Sequence, residues 1–198
     1  MAEQGRVRWK RFALIFAPVA AMTSLLIGAT VQGVIGATFV VSGDTFKLFT
    51  GELRGQGFAL AGGVVRTKQG QVIPVVVTGV RRAVATDLCQ SVLMKTPLGA
   101  VTVRITGGQG GNEVTVEDMV IDVAAARSAA SLRDIELGRD ASTLDEVPGV
   151  RGPAGTFGGQ GRALTLRNVR LSAWAVTAAT FSLPDLGVKV MPGEHECF

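Results

Sequence analysis

Val114-Thr115-Val116-Glu117-Asp118-Met119-Val120-Ile121-Asp122-Val123 is the stretch that decides the fold. Its apolar side chains at Val114, Val116, Met119, Ile121 and Val123 advance in steps of two, three, two and two. A step of two keeps side chains on one face of a strand. A single step of three flips the face unless a bulge or corner absorbs one residue. Asp118 stands at that step. Asp and Asn suit such corners because they tolerate left-handed backbone and bond their own neighbours. The same spelling returns at Leu164, Leu166, Val169, Leu171 and Ala173, with Asn168 at the long step. It returns again at Phe181, Leu183, Leu186, Val188 and Val190, with Asp185 there. A shorter copy runs Ala130, Leu132, Asp134, Ile135, Leu137. Each copy reads as one long bent strand, or as two short strands meeting at a corner. The copies start at irregular distances, so they do not make a solenoid. Asp118, Asp134, Asn168 and Asp185 also have the chemistry of a calcium or substrate ladder, but corner chemistry accounts for them more simply.

The neighbouring sequence is also strand-like. Val72-Ile73-Pro74-Val75-Val76-Val77 is β-prone, and Pro74 assigns it to an edge or a bulge. Arg66–Gln71, containing Gly70, is the hairpin turn before it. Val101–Thr106 alternates with period two, and Gly107–Asn112 is then a turn. That glycine run lacks the Lys-Ser/Thr of a phosphate loop. Val80–Cys89 and Val123–Ala130 are the two places where a short helix is expected. Asp140–Arg162, rich in Gly and Pro, is the longest expected loop. The fold class predicted is all-β: a single sandwich, β-roll or open barrel.

An N-terminal segment precedes this domain. Met1–Arg11 carries Arg6, Arg8, Lys10 and Arg11 against Glu3, and Phe12–Gly43 has no charged residue. A spanning helix needs roughly 20 apolar residues with the basic flank on the cytoplasmic side. The segmentation predicted is therefore a basic cytoplasmic head over 1–11, a signal anchor or signal peptide over 12–37, and an extracytoplasmic β-rich domain over 38–198. The protein is expected at the outer face of the cell membrane or secreted, with residues 12–37 contacting the membrane.

The pI of 9.6 misleads as to partners. The head holds four of the 20 basic residues and one of the 16 acidic ones, so the exported part is near neutral. That removes the electrostatic drive towards nucleic acid. Cys89 and Cys197 are the only cysteines, and in an oxidising compartment they are expected to pair. No cofactor or metal site is expected, because two cysteines and His195 do not supply a ligand set. No Gly-x-Ser-x-Gly elbow is present, and His195 is the single histidine, so no catalytic residue is assigned. For a hydrolase, Ser91 is the one serine that a Cys89–Cys197 bridge would carry towards His195. Phe58–Ala61, Val75–Val77 and Ala173–Val176 are apolar on both faces, as in strands covered on both sides or facing a partner. Trp174 is the candidate partner contact, read against the alternative of a core tryptophan.

Several local features together carry a resemblance: Arg8-Trp9-Lys10-Arg11-Phe12, Ala37–Gly43, Cys89-Gln90-Ser91-Val92, Leu166-Arg167-Asn168-Val169, Ser172-Ala173-Trp174-Ala175 and Glu196-Cys197-Phe198. With them the chain resembles a family of small uncharacterised proteins of Streptomyces and related actinobacteria, some labelled cholesterol esterase. The resemblance implies a membrane-associated or secreted β-rich protein, partnered with a small multi-pass membrane protein, and it transfers no catalytic residue. The function expected is a non-enzymatic envelope domain that binds a protein or lipid or has a structural role. The alternative is a lipid-ester hydrolase.

Overall fold

The structure is a computed structural model that describes residues 43–97 and 99–198. The basic head over 1–11 and the expected signal segment over 12–37 lie outside the described residues. Among the described residues no helix is long and apolar enough to cross a membrane.

The described chain is all-β. Its strands are β1 (Phe46–Arg66), β2 (Val72–Thr86), β3 (Leu88–Thr96), β4 (Gly99–Gly107), β5 (Val114–Asp140), β6 (Phe157–Thr177), β7 (Thr180–Ser182) and β8 (Gly187–Pro192). They form one antiparallel sheet in the order β2-β5-β6-β1-β3-β4-β8. An additional β1–β2 pairing joins the first strand of that order to the fourth. The ladders β1–β2, β2–β5, β5–β6 and β6–β1 thus close a ring of four strands. From the ring, β3, β4 and β8 extend as a three-stranded wing. The sandwich, roll or open barrel of the sequence reading is realised as this ring with its wing.

Four long strands close a ring because they bend, and the expected corner residues mark the bends. Asp118, Asp134, Asn168 and Asp185 all have left-handed backbone, with φ of 46°, 51°, 49° and 55°. Near Asp118 the β5–β2 ladder skips one pair, Asp118 with Arg81. The next ladders skip Arg81 with Gly57, then Gly57 with Arg162, then Arg162 with Asp134. These residues draw one continuous crease across the sheet, and every second position on it is left-handed: Asp118, Gly57 (φ 65°) and Asp134. The left-handed backbone at Gly57 favours glycine, and a Cβ there would also lie a tight 3.3 Å from the Arg81 Cβ. A second crease passes through Asn168 and Gly51 to Asp87, which has φ 53° and hinges β2 to β3. The Asp87 amide donates to the Gly108 carbonyl (3.0 Å), and the Gly108 amide donates to that of Pro184 (2.9 Å), beside Asp185.

The burial of the first two copies follows the spelling. Val114, Val116, Ile121 and Val123 are buried, and so are Leu164, Val169 and Ala173. The turn at 67–71 forms as expected, with Gly70 left-handed. Pro74 pairs with Val64 where β2 has not yet met β5, so its missing N–H faces an open edge.

Two expectations are corrected. The helices at Val80–Cys89 and Val123–Ala130 do not form; both stretches are strand. Ladders to β1 and β5 for the first and to β6 for the second outweigh the helical preference of their alanines. The expected loop over Asp140–Arg162 becomes strand again at Phe157, and its remainder supplies core. Ala141, Leu144, Val147 and Val150 are buried against Ala59 and Ala61. Gly79 makes room for this plug, because a Cβ there would sit 2.5 Å from Val150 and 2.9 Å from Val147.

Candidate functional site

The wing has two faces of opposite character. On the first, the register aligns Phe46, Val92, Val103 and Val190 in one row. Leu48, Gln90, Ile105 and Val188 form the next row. At the β1 end this face is core, where Phe46 packs with Ile121, Val123 and Ala173. At the β8 end it is open. Val188 is 59% exposed and Val190 67%, with Leu186 exposed beside them. These residues belong to the third copy of the corner spelling. The pattern that is buried on β5 and β6 is thus solvent-facing on β8, an edge strand.

On the opposite face the row runs Lys47, Ser91, Arg104, Lys189. The tail Gly193–Phe198 straps across it. Thr102 Oγ1 donates to the Gly193 carbonyl (2.7 Å) and accepts from the His195 amide (3.0 Å). Ser91 Oγ accepts from the Cys197 amide (3.0 Å). Both hydroxyl-bearing residues are fully buried. Cys197 is disulfide-bonded to Cys89 as expected, with the Cα atoms 5.9 Å apart. Glu196 pairs with Lys47 at 2.8 Å, and the Phe198 ring lies 5.2 Å from the Lys47 ammonium. Beyond the strap, Phe49, Asp87, Arg104, Thr106, Gln109 and Lys189 line a small cleft of about 270 Å³.

The bridge draws the Ser91 and His195 segments onto one face, but their hydrogen bonds go elsewhere. The Ser91 hydroxyl serves the Cys197 amide, and the His195 side chain is exposed. Trp174 is half-buried on β6 and packs against the cluster of Val65 and Val75. Its Nε1 is buried, with no hydrogen-bond partner among the described residues. Among the described residues, no three His, Cys, Asp or Glu side chains are grouped to hold a metal ion.

A polar cleft of about 500 Å³ beside the first crease was not expected from sequence. Gln160, almost fully buried, is its centre. Its Oε1 accepts from the amides of Asp145 (3.0 Å) and Glu146 (3.3 Å). Its Nε2 donates to Asp145 Oδ1 (2.8 Å) and Glu136 Oε2 (3.1 Å). The Gln160 bond holds the Asp145 carboxyl below its ordinary range. A hydrogen bond from Arg139 does the same for Glu136. The amides of Gly155 and Ser142 depress Asp140, which caps the plug. Every polar atom of Gln160 is thereby satisfied, so the cluster fastens plug to sheet. The signal that could have found it is Gly158-Gly159-Gln160-Gly161, where small neighbours let the strand approach the plug closely.

Residues 42–198 match the model of a family described as a family of unknown function, DUF6230. The chain belongs to that family. No curated protein and no solved structure is detectably similar to it. The family match covers the ring, the wing and the strap together, so the open stripe on β8 lies inside the shared unit.

Proposed function

We propose that this protein is a non-enzymatic β domain of the cell envelope that binds a protein or lipid partner through the open face of its wing. The observation that carries the reading is Leu186, Val188 and Val190. They repeat an apolar pattern that is core on β5 and β6, yet Val188 and Val190 stand exposed on an edge strand and Leu186 is exposed just before it. Burying two such side chains stabilises a complex by about 1.5–3 kcal/mol each. The extracytoplasmic setting rests on the charge-free run of residues 12–43 and on the resemblance to exported actinobacterial proteins. A multi-pass membrane protein or lipid at the same surface fits that setting. Against lipid-ester hydrolysis, a serine nucleophile needs an adjacent base and access to substrate. Ser91 is fully buried and engaged with the Cys197 amide.

The test is in-cell photo-crosslinking with a photoreactive amino acid at Val190 and, as control, at exposed Glu117. The Val190 probe is expected to capture a lipid or one defined protein, and Val188→Asp is expected to reduce the capture. Equal yields from both probes would defeat the reading.

A further inference from the structure

The fourth copy of the corner spelling points to a second interface. β5 pairs with β2 only as far as Val123, and beyond it β6 lies on one side alone. Among the described residues nothing pairs with the other edge from Ala124 to Asp140. Every side chain from Ala124 to Gly138 is exposed, including Leu132, Ile135 and Leu137. A long, small-residue edge of this kind is a template for another strand, and free-standing proteins blunt such edges. Here a bulge at Ala124 stands at the near end and left-handed Asp134 and Gly138 stand in the second half. Between them Ala125–Arg133 leaves one edge without a ladder partner among the described residues, with one register shift towards β6 between Arg127 and Ala129.

We infer that two copies of this chain pair edge to edge, antiparallel, along Ala124–Asp140 of β5. The charges of the edge select this occupant and this direction. The first part carries only cations, Arg127 and Arg133. The second carries Asp134, Glu136 and Asp140 against Arg139. An antiparallel second copy sets the basic part of each edge against the acidic part of the other, whereas a parallel copy sets like against like. A two-fold axis through Ser131 sets that residue beside its own copy and Arg127 of each copy against the Asp134–Glu136 stretch of the other, and one patch serves both copies. The ring sheets of the two copies then run on as one sheet. This contact is on the ring, so it holds whatever β8 binds.

The experiment is the stoichiometry of the full chain in a mild detergent, by light scattering with the detergent contribution subtracted. The expected protein mass is twice 20.6 kDa. Ala126→Lys combined with Ala130→Lys adds two cations to the edge and is expected to return a single copy. Val188→Asp with Val190→Asp is expected to leave the dimer intact. Ser131→Cys, near the axis, is expected to form a disulfide between copies under oxidation. That result reads the pairing even if the lysine variant fails to fold. A single-copy mass at every concentration up to about 100 µM would overturn the inference. So would a dimer that survives the lysine pair while Ser131→Cys stays unlinked. A foreign polypeptide bound at the edge in a 1:1 ratio would equally overturn it, in favour of another strand donor.

Discussion

Removing the tolerance for left-handed backbone at three creased positions is the sharpest perturbation of this fold. Asp118, Asp134 and Asn168 are exposed, so their side chains contribute no core packing. Their φ values of 46° to 51° place each in a conformation that costs an ordinary L-residue about 1–2 kcal/mol. Glycine visits that region freely, and Asn is tolerant of it. Alanine at each site is therefore expected to lower stability by about 1 kcal/mol relative to Gly or Asn at the same site. For a domain of this size that is a drop in Tm of about 2–4 °C per site. The sites lie on separate strand segments, so the triple alanine variant should lose about 3 kcal/mol by addition. Urea unfolding of the matched Ala, Gly and Asn series gives the comparison directly. Alanine variants as stable as their glycine counterparts would refute the argument, because the backbone would then not be held left-handed at the creases.

Three further expectations follow the same logic. Loss of the disulfide by Cys89→Ser releases a loop of sequence separation 108, and the chain-entropy treatment makes that worth about 4–5 kcal/mol; melts with and without reductant measure it, and an unchanged Tm contradicts it. Asp140 titrates below its ordinary value in the folded chain because the Gly155 and Ser142 amides bond its carboxylate, so its stabilisation is full above the unfolded value near 4 and is lost as pH falls through the depressed one. Asp140→Asn should accordingly flatten the acid limb of stability against pH, and an unaltered limb would remove Asp140 from that role. Gly161→Ala should cost about 1–3 kcal/mol by overpacking, since its Cβ would lie 2.6 Å from the Phe58 ring; Phe58→Leu should recover part of the loss in a double-mutant cycle.

Much of this architecture was legible in the chain. The step of three with Asp or Asn at the break marked four of the left-handed residues, because corner chemistry is written locally in one side chain. Asp87, the fifth, was missed because Val84-Ala85-Thr86 and Leu88-Cys89-Gln90 around it carry no clean alternation. The plug was misread for a different reason. Leu144, Val147 and Val150 have no regular period, so only their tertiary placement under Ala59 and Ala61 reveals them as core. The disulfide followed from there being two cysteines. The open stripe was hidden, because Phe181–Val190 has the same spelling as copies that are buried. Burial is decided by what lies opposite a strand, and a single strand's sequence does not contain that.

The ring also sets an order of events in time. β1 meets β2 as soon as the hairpin at 67–71 forms, but its other neighbour, β6, is made only after β5 and the plug. Until then β1 waits with one edge unsatisfied, and among the described residues nothing upstream of Phe157 satisfies it. Ladders between such distant segments are slow to form, because the chain must be confined before any bond repays it. Ring closure is thus the expected rate-limiting step of folding, and a nascent chain halted before β6 carries an open β1 edge free to seek a partner elsewhere.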